Sequence, residues 1–172
     1  SALGISNVYS VETDYELVSE SAEAFTRERG WWSSDGPFNF ADAFTKESRE
    51  EGSGAMRRRR SCAVLGSAAG GIDVDTMMSV LRDHSNASEP NEPFRTSIDQ
   101  GGICVHFKHD ENGDVIGGNT AASLVADLCG DGSRLPVYWC SLYSPCLSLF
   151  YPVFIEAELP EVLAKGSQNI EE

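Results

Sequence analysis

The chain has 172 residues, enough for one domain with a real core, and 41% of them are apolar, which excludes global disorder. A formal charge of −14 argues against a nucleic-acid-binding role, because gripping phosphates requires a basic face. No apolar run approaches the roughly 18 residues of a membrane span.

In chain order, Leu3 to Tyr9 reads as a short strand with Leu3, Ile5 and Tyr9 on one face. Glu12 to Arg29 reads as a helix, acidic at its start and with Arg27 and Arg29 in its last turn, as the macrodipole prefers. Gly30 is a natural residue to end it. Asp35-Gly36-Pro37 is a turn, followed by aromatic anchors at Phe38, Phe40 and Phe44 and a short helix from Ala41. Lys46 to Gly54 is charged and rich in Gly and Ser, so a surface loop is expected, with Arg57 to Arg60 directly after it. A helix begins at Cys62 to Leu65 and closes near Gly66. Asp73, or alternatively Asp75, caps a helix through Leu81 whose one side carries Met77, Val80 and Leu81. A polar loop runs from Ser85 to Glu92.

Ile103-x-Val105-x-Phe107 alternates as a strand should and pairs with Val115-Ile116. The intervening Asn112-Gly113 predicts a type I′ hairpin. Ala121 to Leu128 fits a strand better than a helix, given the neighbouring hairpin. Val137 to Leu142 and Leu147 to Ile155 are further strands, the latter broken by Pro152. Leu159 to Lys165 is a terminal helix, and residues 167–172 are a frayed tail. The sum is a single α+β domain over residues 1–172, with mostly antiparallel strands in its second half.

Asp110-x-Asn112-x-Asp114 has the start of a calcium loop, but Val115 stands where the EF-hand needs Gly, so the segment reads as a hairpin turn. The five cysteines are odd in number and lack Cys-x-x-Cys spacing, which indicates neither a disulfide scaffold nor a zinc knuckle. Free thiols in a reducing, cytoplasmic compartment are expected, with no signal peptide, no metal and no cofactor. His106 and His109 would project from opposite faces of a strand, a poor arrangement for a shared ion, and His106 reads as a partly exposed sheet residue. Cys146 is a candidate nucleophile, the commoner reading being a buried structural thiol. Arg57 to Arg60 reads as solvated arginines rather than an anion-binding tract. Asn86-Ala87-Ser88 fits a glycosylation acceptor, relevant only in a secreted protein. A free N-terminal Ser1 is a second candidate nucleophile, its α-amine acting as base; the alternative is a plain chain boundary.

Eight segments, in order, carry a family resemblance: Ile5-Ser6-Asn7 with Ser10; Arg29-Gly30-Trp31-Trp32; Phe38-Asn39-Phe40-Ala41; Arg60-Ser61-Cys62; Thr76-Met77-Met78 with Leu81-Arg82-Asp83-His84; Ile103-Cys104-x-His106; Thr120-x-x-Ser123-x-Val125; and Ser144-Pro145-Cys146-x-Ser148-x-Phe150-x-Pro152. Together they resemble the C-terminal portion of the secernin and dipeptidase-A peptidases, which are N-terminal-nucleophile (Ntn) hydrolases.

The resemblance implies part of an αββα sandwich and hydrolysis of a small amide, such as a dipeptide bond. The family's nucleophile is an N-terminal Cys whose α-amine takes the thiol proton, forming an acyl-enzyme that water clears. That Cys and the half that follows it are expected on a second chain, and the assembled unit could form homo-oligomers. Asn7 matches an oxyanion donor, a role suited to an uncharged amide with two N–H groups; its alternative is an ordinary strand-end or turn residue. Arg60, or Arg59 if the register shifts by one, matches a site arginine for the nucleophile's surroundings or a substrate carboxylate. The alternative is a non-catalytic structural or interaction protein that keeps the fold.

Overall fold

The computed structural model describes residues 4–45, 52–85 and 102–161. Among them are four helices and two antiparallel sheets, an α+β architecture. No helix of the described residues is long and apolar enough to cross a membrane. Ser1, the Asn86 acceptor motif, most of the predicted terminal helix and the 167–172 tail lie outside the described residues.

Helix α1 spans Ala22–Glu28, far shorter than the predicted run from Glu12. Its end matches expectation: Gly30 has φ 69°, its N–H reaches Arg27 O at 3.0 Å, and Trp31 N–H reaches Thr26 O at 2.9 Å. This crossed pair is the Schellman arrangement that only a left-handed residue, normally glycine, completes without strain. The start differs because the carbonyls of Val11 and Glu12 are taken by the N–H groups of Ala41 and Phe40 at 2.9 and 3.1 Å. Those donors open helix α2, Phe40–Phe44, which has Asn39 as its side-chain cap. Residues 11–12 thus serve another helix's free N–H groups instead of their own. Tyr9, Phe40, Phe44, Trp31 and Phe25 then form a chain of edge-on and stacked rings, with centroids 4.5–6.5 Å apart.

Helix α3, Gly52–Ser67, corrects two expectations. Gly52 to Gly54, expected in the surface loop, lie on this helix together with Arg57 to Arg60, and the helix begins ten residues before Cys62. The alanine, arginine, methionine and leucine content of this stretch supports helix despite its glycines. Residues 4–8 run antiparallel along α3 with no strand pairing, another departure from expectation. Two glycines permit the close approach: a Cβ on Gly4 would lie 2.6 Å from Ser61 Oγ, and one on Gly54 would lie 2.7 Å from Asn7 Oδ1 and Val8 Cγ2. Ser6 Oγ donates to Gly54 O at 2.9 Å and locks the register.

Helix α4, Val74–Leu81, matches its predicted bounds, and the Asp73 carboxylate caps it through Thr76 N at 2.8 Å. Strands β1, Lys108–His109, and β2, Val115–Ile116, pair across the expected turn, but Ile103 to Phe107 form no strand with Val115-Ile116, because Thr120 takes both the N–H and the carbonyl of Val105. The turn is not type I′, because only Gly113 has positive φ there. Gly113 N–H bonds Asp110 O, while Asp110 and Asp114 pair across a three-residue loop. The Asp110 carboxylate also accepts from Asn112 N and Asp114 N, which favours this wider turn.

Strands β3, Ala122–Asp127, β4, Val137–Leu142, and β5, Tyr151–Val153, form the second sheet in that order. The predicted Leu147–Ile155 strand contracts to three residues, with Pro152 tolerated because β5 lies at the edge. Helix α4 covers the face bearing Val125 and Trp139. The opposite face carries Leu124, Cys140 and Tyr151 in one row and Leu142 at its end. Leu124 is 55% and Leu142 60% exposed, so this apolar face is open among the described residues.

Gly54→Ala is expected to push residues 7–8 off α3 and to lower stability by about 1–3 kcal/mol. Gly66→Ala, whose Cβ meets nothing within 4 Å, should be neutral or stabilising; paired denaturant melts compare the two.

Candidate functional site

Three short segments converge at the C-terminal end of α4. Beyond the helix, the carbonyl of Asp83 accepts from both Ile103 N and Cys104 N at 2.9 Å. Val105 is pinned on its other side by Thr120, N–H to Oγ1 and N–H to carbonyl, each at 2.9 Å. Held at both points, residues 103–107 bring the side chains of Cys104 and His106 together, with His106 against His84. The third segment is the 143–148 turn. Arg82 Nε donates to Pro145 O at 2.9 Å, and Ser148 Oγ donates to Ser144 O at 3.0 Å. Ser144 and Pro145 are fully buried, which sets Cys146 against the imidazoles.

The result is a cluster of His84, Cys104, His106 and Cys146 whose ligating atoms all lie within 4.8 Å of one another. His106 Nε2 stands at its centre, 3.2 Å from His84 Nε2, 3.2 Å from Cys146 Sγ and 3.7 Å from Cys104 Sγ. Cys104 is fully buried and the other three are partly so. Burial lowers the pKa of both imidazoles, with His106 adding to the effect on His84. Burial and the neighbouring Cys104 thiol push Cys146 up to about 11. A nucleophilic cysteine needs the opposite shift, so the His106–Cys146 contact does not make a thiolate pair at neutral pH. None of the five cysteines of the chain is in a disulfide.

Asp83 also anchors this end of α4 to α3. Arg60 Nε and Nη2 donate to its two carboxylate oxygens at 2.9 and 2.5 Å, and Ser85 N donates to Oδ1 at 2.9 Å. Burial works to raise the Asp83 pKa, but the Arg60 hydrogen bond, the Ser85 N–H and the Arg60 charge outweigh it and hold it below 3.8. Arg60, the predicted site arginine, therefore has its fork engaged by a carboxylate of the chain itself.

Asn7, the predicted oxyanion donor, is exposed and is reached instead by Arg57, one helical turn earlier, with Nη2 2.5 Å from Oδ1. Because a guanidinium can only donate, it is the carboxamide oxygen that faces Arg57. Asn7 and Arg60 do not touch one another among the described contacts.

His106 corrects an expectation: it lies outside any strand and turns inward to the cluster, whereas His109 sits in the hairpin with Nδ1 on Gly113 O. Sequence spacing offered no sign of the cluster, since its members are 20, 2 and 40 residues apart. The usable signal was different: all four fall within segments that carry the family resemblance. A separate groove of about 480 Å³ lies between α4 and the sheet, lined by Met78, Trp139, Leu149 and Phe150 with Asp73 and Asp75 also on its wall.

No protein-family model matches this chain. No solved structure matches it either.

Arg60→Ala should leave the Asp83 carboxylate, 12% exposed, without its main partner and cost about 1–3 kcal/mol. The partial exposure of Arg60 keeps the loss toward the lower end. Because the folded Asp83 pKa lies below 3.8, its contribution is complete above that value and is lost as pH falls through the lower folded value. Acid melts of the variant should accordingly show a shallower decline below pH 3.8 than the parent, and Arg60→Lys should restore only part of the difference.

Proposed function

We propose that the chain is the C-terminal part of a secernin-like Ntn amidohydrolase that cleaves small amides such as dipeptides, with its nucleophile supplied by another chain. The observation that carries this reading is the orientation of Asn7. Its oxygen is held by Arg57, so the NH2 is the end of this exposed carboxamide that can donate to an oxyanion. A charged donor at that position would need desolvation, whereas a carboxamide fixed by its oxygen costs little to reorient.

The uncovered apolar face of the β3–β4–β5 sheet supports the remainder of the reading. Leu124, Leu142 and Tyr151 form a surface that a second sheet buries in an αββα sandwich, and the partner chain would supply that sheet. Arg60 acts in this scheme by positioning: its pairing with Asp83 fixes the helix that carries Arg57. Ser1 is not needed as a nucleophile.

Intact masses and N-terminal sequences of the natively purified assembly test the partner. A second chain beginning with Cys is the expected result, and a catalytically active preparation of this chain alone overturns it. In the active assembly, Asn7→Ala should lower kcat about 100–1,000-fold with little change in folding. Asn7→Asp, which keeps the shape but puts a negative charge beside the oxyanion, should be at least as damaging. Unchanged kcat in Asn7→Ala removes Asn7 from the chemistry.

A further inference from the structure

We propose that His84, Cys104, His106 and Cys146 form a tetrahedral site for a divalent transition-metal ion, zinc above all, that clips together the end of α4, the 103–107 segment and the 143–148 turn. This inference is independent of the amidohydrolase reading.

Geometry carries it. His106 Nε2 has three polar neighbours, His84 Nε2, Cys146 Sγ and Cys104 Sγ, at 3.2, 3.2 and 3.7 Å. One imidazole nitrogen makes one in-plane hydrogen bond, as donor or as acceptor according to tautomer. Three neighbours converging on it exceed that capacity, but they suit a shared cation at their centre. With Zn–N near 2.0–2.1 Å and Zn–S near 2.3 Å, a tetrahedron has N···N edges of about 3.3 Å and N···S edges of about 3.6 Å. The three separations from His106 Nε2 lie within about 0.4 Å of those edges, and all four ligating atoms lie within 4.8 Å of one another.

The donor set selects the ion. Two thiolates and two imidazoles in a small, partly buried pocket suit Zn(II), while Mg(II) and Ca(II) require oxygen ligands. Four protein ligands close the coordination sphere, so the ion is structural and leaves no position for substrate or water. Binding replaces two S–H bonds with two metal–thiolate bonds and releases both protons to solvent. No oxidant or reductant is involved.

The surrounding contacts behave as outer supports of such a site. Asp83 O fixes Cys104 through its N–H, and Arg82 fixes the turn before Cys146 through Pro145 O. Ser85, beside His84, and Tyr143, three residues before Cys146, are the two non-glycine residues with left-handed backbones among the described residues, φ 61° and 67°. Both flank the cluster, where backbone strain accompanies a functional constraint.

The full chain, reduced and stripped with a chelator, is titrated with Co(II) and then with Zn(II). One Co(II) per chain should give the intense visible bands of a tetrahedral ion and a thiolate charge-transfer band, both erased by one Zn(II). Cys104→Ser and Cys146→Ser should each lose the charge-transfer intensity, while Cys62→Ser and Cys129→Ser keep it. Should a cluster variant fail to fold, alkylation of the parent chain reads the same site without any substitution. Zn(II) should slow modification of Cys104 and Cys146 at least tenfold and leave exposed Cys62 unchanged. Absence of both the bands and the protection overturns the proposal. So does a spectrum that survives Cys146→Ser, or a Cys104–Cys146 disulfide in the natively isolated protein.

Discussion

Asp83 uses its two ends in opposite directions. Its carboxylate faces Arg60 on α3, and its carbonyl collects the N–H groups of Ile103 and Cys104. A largely buried carboxylate is unfavourable unless paired and hydrogen-bonded. The guanidinium fork and the Ser85 N–H supply what desolvation removes. Removal of Arg60 therefore does more than delete an ion pair, because it leaves a charge in a place that water reaches poorly. The same residue fixes where the 103–107 segment lies, so the placement of Cys104 and His106 follows from a helix end far from them in sequence.

The turns around this node bear conformations that their residues do not favour. A left-handed tyrosine is rare, and such positions cost about 1–3 kcal/mol each when the chain is free to relax. Tyr143 keeps this backbone because its N–H is taken by Ala121 O at 2.8 Å and its hydroxyl accepts from Asn119 Nδ2. Ser85 keeps its own because its N–H is fixed on the Asp83 carboxylate. Both constraints aim the following or preceding residues at one point. A four-ligand ion gives that arrangement a physical reason, since hydrogen bonds among two thiols and two imidazoles are weak and mutually competing.

Patterns that depend on neighbours in sequence were legible. Gly30 as a helix stop, Asp73 as a cap, the bounds of α4 and β4, and the position of the turn around Asn112-Gly113 all follow from local chemistry. What failed was decided at a distance. The helix expected from Glu12 does not start there because the Val11 and Glu12 carbonyls serve α2, and residues 4–8 form no strand because α3 offers glycine-lined contact instead. The four arginines read as one solvated patch in sequence, yet on a helix successive residues turn by about 100°. Arg57 and Arg60, three apart, consequently share a side and serve Asn7 and Asp83, respectively. The pairing of Asn7 with Arg57 could not be read in sequence, because the two lie 50 residues apart. The Cys and His residues were each visible, and only the fold of three separate segments makes them one cluster.

These links join the two proposals mechanically without making either depend on the other. From the cluster, Asp83 leads to Arg60, Arg60 to the body of α3, and one helical turn back along α3 to Arg57 and Asn7. A helix is stiff over one turn, so a clip that fixes Asp83 also limits how far Arg57 can rotate away from the carboxamide. Gly54 also lies close to that Oδ1, with no room for even a methyl group between them. The Asn7 carboxamide oxygen is therefore held by a donor and crowded by backbone, although the residue itself is exposed. An exposed amide left free would sample many rotamers, and ordering it opposes that entropy. In the proposed role as an oxyanion donor, fixing it in advance would be the preorganisation that lets it stabilise developing charge without moving at the moment of reaction.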